Sequence, residues 1–406
     1  MRVQFTASRA EFRRAMTALN RVVGDHSATA RIKVSGGKGT IAVWVNESEG
    51  TRMTQVAFAI KDGVDGASSV NFRALDNATI ASGYKNVTIA PNGDTGYLGI
   101  AHDGIEGRWL ETIIEGGEVV DPGRTTGIEV NAVSFFDALA AVETARARLS
   151  KKDKNAPSWL AGVGMGWSAH GMIHLTATDR RQLATVDLAA TMDPRYHPAF
   201  ADGVHLPAAI VDVLLRLPKR LRPSTVQIAF NPEGKPTLVV GDNIFELAAN
   251  DPREGGMPVD QIKRVADNPR HANAIQHETS FDTETVRAAI GGNTSWWWVG
   301  DHGELAVYAE KGDTIADAAL VHGRHGVGGV MVRLDATHVA KALSRGARGS
   351  TRVALPRARA AQHAPRIPSP VKFYGHTASG HLIETVIQPI RPSDADHAAM
   401  TGRGRR

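Results

Sequence analysis

Lysine and arginine side chains concentrate in three stretches of this 406-residue sequence. Four cations lie between residues 146 and 152, four between Asp212 and Glu233, and eight between Asp335 and Glu384. None of the three stretches contains an acidic residue. Cations without interleaved carboxylates are typical of a surface that binds a polyanion, although a solvated basic face would explain any one stretch equally well. Their recurrence favours polyanion binding.

The residue types that carry catalysis form no recognisable motif. The sequence has no phosphate loop ending in Lys-Ser or Lys-Thr, no His-Glu-x-x-His and no Gly-x-Ser-x-Gly. His170 and His174 lie in a glycine-rich, strand-like stretch, and no carboxylate stands beside His322 or His325. The absence of cysteine excludes disulfides, thiolate metal sites and cysteine nucleophiles. We expect a non-catalytic protein without a metal ion or cofactor.

The first predicted helix indicates how the charged residues are positioned. Ser8 and Glu11 form a capping box that starts this helix. An apolar stripe follows at positions i, i+4 and i+7, formed by Phe12, Met16 and Leu19. Arg14 and Arg21 fall on another face. The apolar stripe is therefore expected to pack on a sheet and to leave the arginines accessible.

The same register recurs after the N-cap residues Asn131 and Asp282. Apolar residues follow four, seven and eight positions later, namely Phe135, Ala138 and Leu139 in one copy and Val286, Ala289 and Ile290 in the other. A second helix is predicted in each copy, over residues 73–83, 207–217 and 335–346. A short strand precedes each second helix, and strands at 86–91, 224–230 and 350–356 follow it. Each copy reads strand, helix, three strands, strand, helix, three strands.

Three copies of one element order predict three tandem domains. Glycine- and proline-rich boundaries place these domains at residues 1–124, 125–265 and 266–391, followed by a disordered tail over 392–406. Each domain is expected to pack two helices on an antiparallel sheet, an α+β architecture. The sequence has no apolar run of about 18 residues and no signal-peptide core, so we expect no membrane partner and a cytoplasmic location.

Three short segments of the sequence resemble motifs of one known protein family. They are Ala-Thr-Asp-Arg-Arg-Gln-Leu-Ala at 177–184, Val-Ile-Gln-Pro-Ile-Arg at 386–391, and Met257-Pro258 followed by Lys-Arg-Val at 263–265. Together with the threefold repeat, they resemble the bacterial DNA polymerase III beta subunit, the DNA sliding clamp, over residues 1 to 391. The matches are in pattern more than identity, so the sequence is identified as a divergent member.

The resemblance implies a processivity factor rather than an enzyme. In this family, two subunits close head to tail into a ring whose helices line a hole around double-stranded DNA. Sequence-independent phosphate contacts would then come from the basic residues, which would place the protein at the nucleoid. The residues predicted for this role are Arg14, Arg21, Arg146, Arg148, Lys151, Lys152, Arg216, Lys219, Arg220, Lys341, Arg345 and Arg348.

The resemblance also implies a pocket that binds linear peptide motifs of DNA polymerase and the clamp loader. Its walls would be Thr178, Asp179, Leu183, Pro258, Val265, Val386, Pro389, Ile390 and Arg391. Gln182 stands where the family has arginine, and Gln388 stands where it has methionine, so the preferred peptide is expected to differ. Trp109 and Ile290 occupy the positions of apolar residues in the homodimer interface, although a strand tryptophan also suits a core.

Two other functions compete with a working clamp. A clamp-like regulator or decoy would keep the fold and bind clamp clients without encircling DNA, a reading that Gln182 and Gln388 motivate and the basic stretches oppose. An unrelated hydrolase built on repeated domains is disfavoured by the missing motifs.

Overall fold

The structure is a computed structural model of the 406-residue chain. It describes residues 2–23, 28–47, 50–80, 83–93, 96–113, 125–149, 153, 155–168, 171–192, 203–219, 222–230, 234–247, 257–258, 276–290, 292–299, 304–311, 314–315, 319–322, 330–345, 349–356 and 370–390. The predicted tail over 392–406 lies outside these residues.

Helices are few in the described ranges, and each is short or of moderate length. They are α1 (Arg9–Val23), α2 (Phe72–Thr79), α3 (Ala132–Glu143), α4 (Ala208–Leu215), α5 (Thr283–Ala289) and α6 (Ala336–Arg345), with a 3-10 helix at Ser158–Ala161. None of them has the length and apolar character that a membrane crossing requires.

Strands dominate the described residues. The first repeat contains β1 (Gln4–Ser8), β2 (Ala28–Ser35), β3 (Lys38–Glu47), β4 (Gly50–Ala59), β5 (Asp62–Val64), β6 (Gly66–Asn71), β7 (Asn86–Pro91), β8 (Tyr97–His102) and β9 (Ile105–Glu111). The second contains β10 (Thr125–Asn131), β11 (Val163–Ser168), β12 (Met172–Thr178), β13 (Gln182–Met192), β14 (Val204–Leu206), β15 (Thr225–Phe230), β16 (Pro236–Val240) and β17 (Asn243–Glu246). The third contains β18 (Gln276–Asp282), β19 (Thr294–Val299), β20 (Leu305–Lys311), β21 (Thr314–Ile315), β22 (Ala319–His322), β23 (Val330–Asp335), β24 (Ser350–Pro356), β25 (Val371–His376) and β26 (Leu382–Ile387).

The predicted element order is confirmed in all three repeats. Each repeat runs strand, helix, three strands, strand, helix, three strands. Within the described residues, the additions to this order are the short strands β5 and β21 and the 3-10 helix. The paired strands that the structure describes run antiparallel, so the α+β class is also confirmed.

By its contacts the chain divides into two compact units. The first comprises Met1–Ala132, Thr191–Ala199 and Ala208–Ala249, and the second comprises Val133–Ala190, Phe200–Pro207 and Asn250–Arg406. The middle repeat contributes α4 and β15–β17 to the first unit and α3 and β11–β14 to the second. The boundaries at residues 124, 265 and 391 stay a prediction.

The first unit contains two sheets, in the orders β5-β1-β7-β8-β9 and β10-β15-β16-β17-β4-β3-β2-β6. Helix α1 packs its stripe of Phe12, Met16 and Leu19 inward, as predicted. Phe12 joins Phe5 and Phe58 in an aromatic cluster with ring centroids 5.2 to 5.9 Å apart. Gly39 allows this cluster to form, because a Cβ there would overlap the Phe58 ring. The stripe therefore anchors α1 and orients its opposite face.

The second unit repeats this arrangement with different side chains. Its sheets have the orders β18-β24-β25-β26-β13-β12-β11-β14 and β21-β20-β19-β23, with β22 on β20. Trp297 lies 5.7 Å from Phe281 and 5.2 Å from Phe373, measured between ring centroids. These aromatic side chains form the core of the sheet that contains β25 and β26, the strands that contact α6.

Side-chain caps determine where several helices start. Asp282 accepts a hydrogen bond from the Thr285 amide at 2.8 Å and caps α5, as predicted. Asn71 caps α2 in the same way through the Ala74 amide, so this helix begins one residue before the predicted start. It also ends at Thr79 rather than at 83, because Ile80 is its C-cap and Gly83 lies beyond it with a φ of 91°.

Candidate functional site

A cationic groove lies between α1 and α4, which are neighbours in the first unit. It encloses about 340 Å³ and is lined by Glu11, Arg13, Arg14, Ala15, Thr17, Ala18, Arg21, Val56, Ala57, Val213, Arg216, Leu217 and Pro218. Its apolar lining comes from α1, α4 and β4, and from Leu217 and Pro218 after α4. We use the name cationic groove for this set of residues.

Three predicted DNA-contacting residues meet at the cationic groove. Arg14 and Arg21 come from α1, and Arg216 follows α4, some two hundred positions later in the chain. Arg14 keeps 46% of its side chain exposed while its Nη1 lies 2.8 Å from Glu11 Oε1, and Arg21 and Arg216 are also exposed. Long, solvated guanidinium groups on one surface attract phosphate oxygens without selecting a base sequence.

Arg13, the neighbour of Arg14, has a different role. Its Nη1 binds the Asp76 carboxylate at 2.5 Å and reaches Thr79 Oγ1 at 3.3 Å. Asn20 donates to the second Asp76 oxygen at 2.7 Å. Asp76 therefore ties α1 to α2, which fixes the helix that presents Arg14 and Arg21.

The remaining predicted cations differ in their surroundings. Arg146 donates to the Ala161 carbonyl at 3.0 Å and lies 3.2 Å from Glu143 Oε2, so its guanidinium holds the end of α3. Arg148 and Lys219 are exposed, and Lys341 is half-buried. The residues Lys151, Lys152, Arg220 and Arg348 lie outside the described residues, as does the side chain of Arg345. Their contacts with DNA stay a prediction.

A second group of predicted site residues forms what we call the pocket wall, in the second unit. It comprises the turn Thr178–Gln182, Leu183, Val386 and the segment 388–390. Thr178 Oγ1 donates to the Gln182 carbonyl at 2.6 Å and accepts from the Arg180 amide at 3.0 Å. Arg180 adopts a φ of 76° in this turn, a conformation uncommon for residues other than glycine. The turn is therefore held by its own side chains.

Asp179 is held in the pocket wall by several hydrogen bonds. Its Oδ1 accepts from the amides of Arg181 and Gln182, each at 3.0 Å. Its Oδ2 accepts from the Gln182 side chain at 2.9 Å and lies 3.2 Å from His338 Nε2. Burial alone raises the pKa of Asp179, but the hydrogen bonds from His338, Gln182 and the two amides outweigh burial and lower this pKa to about 2.

Leu183 and Val386 form a small apolar cluster apart from the main core. They are cross-strand partners on β13 and β26, and each keeps 8% of its surface exposed. The segment after β26 is held on both sides, because the Gln388 amide donates to the Arg181 carbonyl at 2.9 Å and the Ile390 amide donates to the Arg333 carbonyl at 2.8 Å. Pro389 between them is buried.

The sequence did not point to His338, which lies near the start of α6 and contacts Asp179 across 159 positions. No local spacing links two residues so far apart. Gln182, singled out as a departure from the family pattern, is 2% exposed and directs its amide to Asp179. Pro258 is half-buried, and Val265 and Arg391 lie outside the described residues.

The two predicted interface residues have different exposure. Trp109 is 46% exposed on β9, the last strand of its sheet. Its ring lies over Gly99 of β8, where a Cβ would come within 2.6 Å of the ring. Ile290 follows α5 and packs partly against the core of the second unit. Trp109 therefore offers an apolar surface, and Ile290 offers a smaller one.

Groups of acidic or histidine side chains do not assemble into a metal site in the described ranges, where no cluster of three or more His, Asp or Glu residues is found. The arrangement supports binding by charge and by apolar contact. The cationic groove offers exposed positive charge, and the pocket wall offers a small apolar cluster beside a hydrogen-bonded turn.

Solved structures with the same fold are bacterial DNA sliding clamps. The DNA polymerase sliding clamp of Pseudomonas aeruginosa matches with a TM-score of 0.63 and 16% identity, over 96% of this chain and 100% of that chain. The beta clamp of Helicobacter pylori, solved with 3,4-difluorobenzamide, matches with a TM-score of 0.62 and 14% identity, over 96% and 100%. The DNA polymerase sliding clamp of Caulobacter crescentus matches with a TM-score of 0.63 and 15% identity, over 96% and 100%.

The sequence itself gives no such match. No protein-family model matches it, and no curated protein matches it. The resemblance inferred from the threefold repeat and three short motifs is confirmed at the level of the fold, over nearly the whole chain. The chain has the three-repeat α+β fold of bacterial sliding clamps.

Proposed function

We propose that this chain is a DNA sliding clamp, a non-catalytic processivity factor that encircles duplex DNA and tethers a DNA polymerase. The observation that carries the proposal is the meeting of Arg14, Arg21 and Arg216 in the cationic groove of a chain with the sliding-clamp fold. Arg14 and Arg21 lie on α1, and Arg216 comes from a segment some two hundred positions later. A shared surface is what phosphate contact along one duplex requires.

The physical requirement on a sliding ring is weak attachment at every register. Arginine and lysine side chains meet this requirement, because they neutralise phosphates by releasing counterions and read no base edges. The exposed side chains of Arg14, Arg21 and Arg216 retain the freedom to follow the phosphates. Arg148, Lys219 and Lys341 are further cations that we propose contact phosphates.

The pocket wall would bind linear motifs of DNA polymerase and of the clamp loader. Leu183 and Val386 supply an apolar surface that is nearly buried but separate from the main core. Ile390 is half-buried in the segment after β26, Thr178 carries a hydroxyl in the turn before Leu183, and we propose that both extend this surface. A short peptide with aliphatic and aromatic anchors suits such a surface.

Ring closure would require a second copy of the chain. The domains at 1–124, 125–265 and 266–391 would supply six domains in a head-to-tail homodimer, with Trp109 and Ile290 at the contact. The exposed Trp109 on the last strand of its sheet supports this assignment, since a closed ring covers the edge strands that an open sheet leaves unpaired.

Charge reversal at the cationic groove tests the DNA contact. The triple variant Arg14→Glu, Arg21→Glu, Arg216→Glu is expected to bind a short linear duplex about 100-fold more weakly at low salt. The slope of the logarithm of the binding constant against the logarithm of the salt concentration should become shallower by about two to three, one unit for each lost phosphate contact. The measurement is fluorescence anisotropy at several salt concentrations. Tm serves to check folding.

The matched control reverses three exposed cations of the same unit that do not line the groove, Lys33, Lys85 and Arg108. Equal losses in the two triple variants would mean that net charge alone drives binding, and the groove assignment would be wrong. Retention by the control, with loss in the groove variant, assigns the contact to the groove.

A clamp-like regulator is the second candidate function. The observation that favours it concerns Gln182, which stands where the family pattern has arginine. The side chain of Gln182 is uncharged and donates to Asp179, so the turn lacks that cation. A regulator would bind a client peptide yet show no salt-dependent affinity for duplex DNA. The anisotropy measurement above therefore also separates the two functions.

A further inference from the structure

We propose that His338 is a positioning residue for the peptide pocket, and that it tightens its hold on the turn Thr178–Gln182 when it takes up a proton. The inference rests on the proposed role of the pocket wall in peptide binding. It adds to that role a dependence on pH that follows from the surroundings of one imidazole ring.

The imidazole ring of His338 lies between two carboxylates. Its Nε2 is 3.2 Å from Asp179 Oδ2 on the turn, and its Nδ1 is 3.6 Å from Asp335 Oδ1 at the start of α6. Only 11% of the side chain is exposed. We call Asp179, His338 and Asp335 the His338 clasp, because they join the turn to α6.

Both carboxylates of the His338 clasp are fixed by other bonds. Asp335 accepts from the Thr337 amide at 2.9 Å and from the His338 amide at 3.1 Å, which makes it the cap of α6. Asp179 is held by Gln182 and the backbone of the turn, and its pKa of about 2 keeps it ionised at neutral pH. The positions of both carboxylates beside the His338 ring are therefore fixed by their other hydrogen bonds.

The protonation state of the ring decides how strongly the two carboxylates hold it. Neutral imidazole has a single N–H, which can donate to Asp179, whereas the protonated ring donates to Asp179 and also carries a positive charge that pairs with Asp335 at 3.6 Å. Hydrogen bonds between ionised partners are about twice as strong as neutral ones. The other charged residues on these elements are Arg180 and Arg181 on the turn, Arg333 on β23, and Lys341 and Arg345 on α6. The elements packed against α6 add Lys372 and His376 on β25, Glu384 on β26, and Glu284 and Arg287 on α5. Proton uptake strengthens the link from the turn to α6.

The turn transmits this link to the peptide surface. Leu183 follows it directly and pairs with Val386, and the Arg181 carbonyl accepts from the Gln388 amide. A turn held firmly against α6 keeps the apolar cluster and the 388–390 segment in one arrangement. Peptide affinity is therefore expected to rise when His338 takes up a proton.

The experiment measures peptide affinity from about pH 8 to about pH 6. The probe is a fluorescein-labelled, blocked peptide with leucine and phenylalanine anchors and no acidic or histidine residues. Wild type is expected to bind about fivefold more tightly at the lower pH. His338→Gln keeps a donor toward Asp179, so it should bind like wild type at the higher pH but without the pH dependence. His338→Leu should bind about tenfold more weakly throughout.

The matched control is His376→Gln, which changes an exposed histidine of the same unit. It should keep the wild-type pH profile. If His338→Gln keeps that profile too, peptide binding stands and the role of His338 is overturned.

Failure of the peptide to bind wild type at any pH would count against the proposed pocket, and a second readout then judges the clasp. The amide resonances of Arg181 and Gln182, which donate to Asp179, should shift with pH in wild type and stay constant in His338→Gln. Identical behaviour in the two proteins would overturn the inference.

Discussion

The cationic groove and the pocket wall use charged side chains under opposite conditions of burial. In the groove, Arg14 keeps 46% of its side chain exposed, and its partner Glu11 is three residues away on the same helix. At the pocket wall, Asp179 keeps 16% of its side chain exposed and its partner His338 on α6 keeps 11%, and the pair joins distant parts of the chain. Water and salt therefore screen the groove far more than they screen the pocket wall.

The difference indicates two modes of binding within one chain. Exposed cations give an attraction that is general and falls steeply with salt, which suits a partner that must slide. A buried network gives a fixed shape, which suits a partner that must be selected. We expect salt to act mainly on the groove and pH mainly on the pocket wall, and the predictions below test this separation.

The largest expected effect is at the apolar part of the pocket wall. Val386→Asp places a carboxylate against Leu183 and should weaken binding of the leucine–phenylalanine peptide by more than about 100-fold. DNA affinity and its salt dependence should not change, because the groove lies in the other unit. Anisotropy with each ligand measures both, and Tm checks folding.

Leu382→Asp is the matched control for this change. Leu382 lies four residues earlier on β26 and is 48% exposed. Peptide binding should survive in the control. An equal loss in both variants would mean that β26 tolerates no new charge, and Val386 would then have no particular role.

The next effect concerns Asp179 and stability against acid. The pKa of Asp179 is about 2 in the folded chain, below the value of about 4 in an unfolded one, so its ionised form stabilises the fold above about pH 4. That contribution is lost as pH falls toward 2. Asp179→Asn should reduce the free energy of unfolding at pH 7 by about 2 kcal/mol, with the difference from wild type shrinking at low pH.

Urea unfolding at several pH values measures this difference. Glu284→Gln is the control, since it removes a carboxylate of the same unit that is 58% exposed and paired with Arg287. The control should change the free energy by no more than about 0.5 kcal/mol. A constant difference between Asp179→Asn and wild type down to pH 2 would show that the depressed pKa is not its source.

The smallest expected effect concerns Glu11, the acidic residue that pairs with Arg14 in the cationic groove. Glu11 lines the groove and holds Arg14 at 2.8 Å. Glu11→Gln removes the negative charge and should strengthen duplex binding about twofold to threefold at low salt. Glu284→Gln breaks the equivalent pair with Arg287 on α5 and should leave DNA affinity unchanged. Equal gains in both would indicate an effect of net charge.

Local features of the fold could be predicted from the sequence because short-range interactions determine them. Asp282 caps its helix through an amide three residues later, and the strands Asn86–Pro91 and Ser350–Pro356 match the predicted bounds. The end of α2 was placed at 83 instead of Thr79, because Gly83 is a turn residue beyond the helix and not its terminus.

The sites were predictable only in part, since they depend on contacts across the chain. The exposed face of α1 followed from its apolar stripe, which identified Arg14 and Arg21. The sequence did not show that Arg216 meets them, that Arg146 is bonded to Ala161, or that His338 contacts Asp179. Each of these contacts depends on tertiary packing, which residue spacing does not encode.

The most direct test of the central claim is retention on circular DNA. The protein is loaded onto a nicked circular plasmid with a bacterial clamp loader and ATP, washed at high salt, and followed as the plasmid is cut once with a restriction enzyme. A ring that encircles DNA stays on the circle at high salt and leaves after the cut. Release from the intact circle at moderate salt, after demonstrated loading, would contradict encirclement and leave only ordinary phosphate contacts.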